Sequence, residues 1–185
     1  MLKNITKLMK LGRVRHLFRG TVRLPLALAL IGALIISHID WAALIGGGPP
    51  DVVQGRPDIR DGDSLVIGRH RVRLKGIDAP ERDQTCTRGG KPWACGHAAR
   101  RHLKRLIGRR EVSCAVVRRD RFDRLLARCR TGARDLNQAM IRDGMAVSFD
   151  GDYRREEAEA RRARAGLWAG QFERPRLWRQ SNPRR

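Results

Sequence analysis

Four carboxylates and one arginine bracket a short apolar run: Asp61 and Asp63 in "RDGDS", Arg73 in "VRLKG", and Asp78 and Glu81 in "GIDAPE". They sit in a 185-residue chain whose formal net charge is +21. Acids gathered at both ends of one run in so basic a protein need a chemical reason. Hard cations such as Ca2+ take carboxylate, carbonyl and water oxygens. Asp63, Asp78, the backbone carbonyl of Ala79 and Glu81 supply such oxygens if the two segments lie side by side. Arginine presents a planar fork of donors that suits phosphate oxygens, and Arg73 and Arg124 (in "DRFDR") are the candidates. A cation and two guanidinium groups around one phosphodiester neutralise the charge that develops in phosphoryl transfer, while a carboxylate orients or deprotonates water. Taken singly, each aspartate also reads as a turn or cap residue. The set carries the argument, not the residue type.

Positioning these groups calls for strands. "SLVI" and "HRVRLKGI" flank Gly68-Arg69, a hairpin signal, and Asp78 ends the second run, where Pro80 blocks further pairing. "EVSCAVV" and "LLARCR" form a second pair around "RRDRFDR". A turn centred between Arg121 and Phe122 puts Cys114 opposite Cys129, at a Cβ separation of about 4.5–5.5 Å that suits a disulfide. Cys86–Cys95 follows by elimination and closes the loop after the acidic motif. No pair shows the C-x2-C spacing of a zinc site. Helices are expected in "GHAARRHLKRLIG", in "DLNQAMIRDGMA" behind an Asp135 cap, and in "YRREEAEARRARAGLW". Strands, helix, strands, helix, helix predict an α+β fold: a five-stranded OB-type Greek-key barrel with about three helices, preceded by an N-terminal apolar helix.

The 40 Lys and Arg against 19 Asp and Glu speak of partners rather than fold, namely a polyanion such as nucleic acid or an anionic membrane surface. Residues 1–23 carry Lys3, Lys7, Lys10, Arg13, Arg15, Arg19 and Arg23 and no acid. "LPLALALIGALII" follows, and a positive stretch before an apolar run is an export signal. Two versions stay open: residues 24–45 as a retained signal anchor long enough to cross a bilayer, or the run as the apolar region of a cleaved signal peptide. In either case the positive-inside rule leaves residues 1–23 in the cytoplasm and the rest outside, periplasmic or extracellular. "GGGPPD", residues 46–51, reads as a linker. The four cysteines, an even number in an exported domain, favour disulfides.

The run "DGDSLVI…VRLKGIDAPE", then "DRFDR-LA", "DLNQAMIRDGMA" and "GLW" resembles the staphylococcal (thermonuclease) nuclease family. The resemblance spans roughly residues 52–168 and extends through "FERPRLWR", which delimits a nuclease-like domain at 52–179 and a basic tail at 180–185. It implies Ca2+-dependent hydrolysis of DNA and RNA that leaves 3′-phosphate ends. It places the metal on Asp63, Asp78 and the Ala79 carbonyl, with Asp61 as an acidic neighbour. Glu81 would support the attacking water, and Arg73 and Arg124 would bind phosphate. The expected partners are single-stranded or denatured DNA and RNA, and the membrane through residues 24–45; a monomer is expected. Departures are Ser64 for Thr, Ala79 for Thr, Phe122 for Tyr, and Asp123 where the family turn has Gly. Asp123 is expected to strain a left-handed backbone position, to pair with Arg124 and so to weaken turnover. Phe149 and Tyr153 are the expected nucleotide-stacking residues. A noncatalytic nucleic-acid-binding OB module is the alternative, and a structural membrane-surface protein is a third reading that leaves the acids unexplained.

Overall fold

The computed structural model describes residues 49–183. The basic stretch 1–23, the apolar segment 24–45 with its expected helix, and most of the linker lie outside the described residues. The main sheet is built from β1 (Val52–Gly55), β2 (Pro57–Ile59), β3 (Ser64–Ile67), β4 (His70–Leu74), β8 (Val112–Arg119) and β9 (Leu125–Thr131). Their order across the sheet is β1-β8-β9-β4-β3-β2, with the short β10 (Arg134–Asp135) added to β9. β1 and β2 are separated only by Arg56, so one bent segment pairs with both edges of the sheet and nearly closes it into a barrel. Alternation explains the strands: along β9, Leu125, Ala127, Cys129 and Thr131 are buried while Arg128 and Arg130 are exposed, as a period of two requires.

The β8–β9 register pairs Cys114 with Cys129, and the two form a disulfide. Cys86 and Cys95 form the other. A bulge after Val116 then shifts the pairing by one, so that Arg118 faces Leu126. The expected turn centre therefore moves by half a residue, and the tight turn runs from Asp120 to Arg124, closed by Asp120 N donating to Arg124 O at 2.9 Å. β4 and β9 run parallel, with Arg73 beside Leu126.

Four α-helices are present among the described residues, against the three expected: α1 (Cys95–Ile107), α2 (Leu136–Arg142), α3 (Arg154–Arg162) and α4 (Pro175–Ser181). Asp135 caps α2 by accepting from Gln138 N at 2.9 Å. The third expected helix ends at Arg162, and "GLWA" forms a separate 3₁₀ turn at Gly166–Ala169. The short strands β5 (Ile77–Asp78) and β11 (Val147–Ser148) pair with each other, as do β6 (Cys86–Arg88) and β7 (Lys91–Trp93). The core fills the barrel with Leu65, Val72, Leu74, Leu125 and Ala127, and continues under the helices through Leu103, Ile107, Leu136, Met140 and Ile141. Buried Asn137 ties these layers together. Its amide donates to Lys75 O at 2.8 Å and Ala127 O at 3.2 Å, and its Oδ1 accepts from Cys129 N at 3.0 Å.

Candidate active site

The Asp61–Asp63 turn is held from both sides. Arg60 N and Asp61 N donate to Ser64 O at 2.9 and 3.1 Å, and Leu74 N donates to Asp63 O at 2.8 Å. Gly62 packs so closely that a Cβ there would lie 2.7 Å from Ala79 Cβ and 2.8 Å from Ala99 Cβ, inside van der Waals contact. Only glycine lets this turn sit against the Asp78–Ala79 segment. The result is that Asp63, 3% exposed, receives Ala79 N at 3.1 Å on one carboxylate oxygen and Ser64 Oγ at 2.8 Å on the other.

Asp78 ends β5, is 1% exposed, and is fixed by pairing with Val147. Arg73 joins the two acids: its guanidinium lies 2.9 Å from Asp63 Oδ2 and donates to Asp78 Oδ1 at 2.8 Å. Burial pushes the Asp78 carboxyl above its ordinary value, and the charge of Asp63 adds to that push. Hydrogen bonding and charge from Arg179 and the charge of Arg73 pull it back. Two carboxylates that feel each other in a buried place require positive charge beside them.

Glu81 lies just beyond Pro80 in a loop held by fully buried Gln84. Gln84 Oε1 accepts from Glu81 N at 3.2 Å, and Gln84 N donates to Glu81 O at 2.9 Å. The start of α1 presses on the same loop, since a Cβ on Gly96 would overlap the Glu81 carbonyl oxygen. The Cys86–Cys95 bridge closes this loop onto α1. Gln84 also donates to Glu173 O at 2.7 Å, which links the Glu81 loop to the segment entering α4.

Arg124 follows the β8–β9 turn. Asp120 holds it, accepting from its Nε at 2.8 Å and from its backbone N at 3.0 Å. Burial alone would raise the Asp120 carboxyl, but the hydrogen bonds from Arg124 and from Phe122 N outweigh it and leave it below the ordinary range. Asp123 does have the left-handed backbone expected of it, with φ of 60°. Its expected pairing with Arg124 does not form: Asp123 Oδ1 accepts from Arg119 Nη1 at 2.7 Å instead. The bulge in β8 accounts for the difference, because it re-registers Arg119 at the end of the strand. Asp123→Gly should therefore leave phosphodiester turnover within about twofold and relieve about 1 kcal/mol of backbone strain. A side-by-side comparison of rate and urea midpoint checks this; a rise in rate of tenfold would restore the original expectation.

One cleft of about 1010 Å³ gathers Asp61, Asp63, Arg73, Glu81, Arg124 and Phe149 on its walls, with Lys75, Arg118, Arg121 and Arg176 beside them. Asp78 lies behind this surface, bound to Arg73. Asp61 sits at the edge with Oδ1 3.7 Å from Arg82 Nε. Tyr153 is not among the lining residues: it is half-buried against the main core. Burial, with the charge of Asp135, pushes its phenol up to about 12 against the opposing Arg128. The cleft thus brings Phe149 to the candidate site and leaves Tyr153 outside it.

Sequence reasoning missed Arg179. It reaches from α4 and places Nη1 2.9 Å from both Asp78 Oδ1 and Glu81 Oε1, and Nη2 3.1 Å from Asp78 Oδ2. Proline at the first position of α4 is a helix-start signal, but nothing in the pattern aims Arg179 at the acids.

Residues 71–170 match the family model described as "Staphylococcal nuclease homologue". The chain belongs to the staphylococcal nuclease family. Among its relatives, succinoglycan biosynthesis protein ExoI of Rhizobium meliloti is 30% identical over 152 residues, covering 78% of this chain and 76% of that protein. Micrococcal nuclease of Shigella flexneri is 32% identical over 177 residues, covering 84% and 92%. Probable endonuclease LCL3 of Clavispora lusitaniae is 34% identical over 150 residues, covering 71% and 60%. Asp78, Ala79, Glu81, Arg73 and Arg124 fall inside the stretch that matches the staphylococcal nuclease model; Asp61, Asp63 and the whole of α4 lie outside it.

The donor set suits a hard cation in kind, being all oxygen, and two of its carboxylates already converge on one positive group. Among the described residues, however, no three acidic, His or Cys side chains close into one metal-binding cluster. Arg179 bridges Asp78 and Glu81 where such a cluster would draw together.

Proposed function

We propose that this chain is an exported Ca2+-dependent nuclease that hydrolyses phosphodiester bonds of DNA and RNA, leaves 3′-phosphate ends, and is held at the membrane by residues 24–45 with its barrel outside the cytoplasm. Family membership and relatives named as nucleases support nuclease activity in general. The observation that carries the reading further is the convergence of Asp63, Glu81, Arg73 and Arg124 on one basic cleft, with Asp78 bound behind Arg73.

Asp63, Asp78 and the Ala79 carbonyl are the groups to hold the cation. When bound there it would supply positive charge beside the phosphate oxygens. Arg73 and Arg124 neutralise charge growing on the phosphoryl oxygens as water adds to phosphorus. Glu81 orients that water or takes its proton. The bond from phosphorus to the 5′-oxygen breaks, which leaves a 3′-phosphate on one fragment and a 5′-hydroxyl on the other. Arginines along the walls and the exposed Phe149 face the nucleotides on either side, the basic groups serving the backbone and the ring a base.

One observation favours the alternative. Asp63, Asp78 and Glu81 all contact guanidinium groups, an arrangement that a noncatalytic nucleic-acid-binding module would keep without metal. The two readings separate when the full chain, in detergent, is given single-stranded DNA or RNA with Ca2+ or with chelator. The nuclease predicts Ca2+-dependent cleavage with 3′-phosphate termini. Salt-sensitive binding with no cleavage in Ca2+ would leave the binding module.

A further inference from the structure

We propose that Arg179 is a tethered cation that caps the acid site: it holds Asp78 and Glu81 in place of the divalent ion, and the ion must expel it, and with it the outer end of α4, to bind. The inference rests on the reading of Asp78 as a cation ligand.

The geometry is a fork on a fork. Two guanidinium nitrogens meet the two Asp78 oxygens, and one of them also meets Glu81 Oε1. Arg73 takes a further bond to Asp78 Oδ1. A metal that used Asp78 would need lone pairs that Arg179 now occupies. Arg73 and Arg179 together fill both lone pairs of Oδ1, and Arg179 takes one on Oδ2 as well, so an ion on Asp78 competes with Arg179 for acceptor sites and is repelled by its charge. Arginine cannot escape by losing its proton, so competition is settled by displacement.

The support for Arg179 is easy to move. α4 has seven residues, and only Pro175, at its start, is buried. Its entry is pinned, through Glu173 O and Gln84, while its far end, at Arg179, rests on the acids. That is a short arm hinged at one end. Gln84 also braces Glu81, so the hinge and the acid loop share one support. The capped state has a second consequence: the Glu81 oxygen that Arg179 contacts is engaged rather than presented to water. One contact therefore withholds both the cation ligand and the group that handles water.

Two measurements on the full chain test this. The first is calorimetric Ca2+ binding to wild type, Arg179→Gln and Asp78→Asn. Removing the cap should tighten Ca2+ binding about tenfold or more, within the range of ordinary coupling, and Asp78→Asn should abolish it. The second is hydrogen exchange on unaltered protein, which does not depend on any variant folding. By reciprocity of coupling, Ca2+ should speed exchange in peptides covering residues 175–182. Ca2+ that binds through Asp78 equally well or more weakly in Arg179→Gln, or that leaves α4 exchange unchanged or slower, overturns the cap. Absence of Ca2+ binding in both wild type and Arg179→Gln overturns it differently, by removing the cation reading of Asp78 itself.

Discussion

Glu81→Gln is expected to lower kcat on single-stranded DNA at saturating Ca2+ by about 10²–10⁴-fold, the usual contribution of a positioned acid–base group. KM should stay within about threefold, because binding energy is not what the change removes. The substitution is narrow. Glutamine keeps the length of the side chain and an oxygen that can still accept from Arg179. The loop is held through the backbone of residue 81, by Gln84 and by the α1 start, so its course does not depend on the carboxylate. What is lost is the capacity to take a proton from water and the full negative charge that orients it. A fall in kcat with KM preserved marks an interaction made in the transition state alone. Steady-state kinetics, supported by equilibrium binding of a noncleavable single strand, give the split. A loss below tenfold would reduce Glu81 to a partner of Arg179 and take the water-handling role from it.

Much of this site was legible because its residues are local in sequence. The Asp61–Glu81 segment is a turn, a hairpin and a strand end, so neighbours in the chain become neighbours in space. The β8–β9 hairpin was legible for the same reason. Cys114 opposite Cys129, however, came out right only because two errors cancel: the turn centre lies half a residue later than expected, and the bulge takes that shift back before the cysteines. The bulge after Val116 was not legible, because one extra residue leaves the alternation pattern intact on either side of it. It changed the electrostatics locally, sending Asp123 to Arg119 and leaving Arg124 to Asp120. Two further features escaped for different reasons. Gln84 is an uncharged residue whose buried hydrogen bonds join segments about ninety positions apart. Arg179 is one of 40 basic residues, on a helix too short to show an apolar stripe, and its partners lie 101 and 98 positions away. Abundance hides a single arginine in such a chain; only geometry distinguishes the one on the acids from those on the surface.

Arg73→Met is expected to destabilise the metal-free protein at neutral pH by about 3–5 kcal/mol, the cost of breaking a buried ion pair from one side. The guanidinium now serves two acids at once, Asp63 and Asp78, both almost wholly buried. Methionine fills much of the volume and supplies no charge, so the cost falls on the carboxylates left behind. That identifies its pH dependence. Without Arg73 the folded-state pKa of Asp78, already raised by burial, loses one of the charges that pull it back and rises further above its unfolded value. A group raised in this way favours the folded state most when protonated, and its penalty grows as pH rises through the folded pKa. The gap in stability between wild type and Arg73→Met should therefore be widest near neutrality and narrow on going to about pH 4. Added Ca2+ should narrow it at neutral pH as well, because carboxylates no longer neutralised by Arg73 bind the ion more tightly than in wild type, and at saturation each tenfold gain in affinity adds about 1.4 kcal/mol to the variant relative to wild type. Urea denaturation across pH, with chelator and with Ca2+, reads all three. A gap independent of both pH and Ca2+ would mean that the loss is one of packing, and that Asp63 and Asp78 do not form the charged pair on which the site depends.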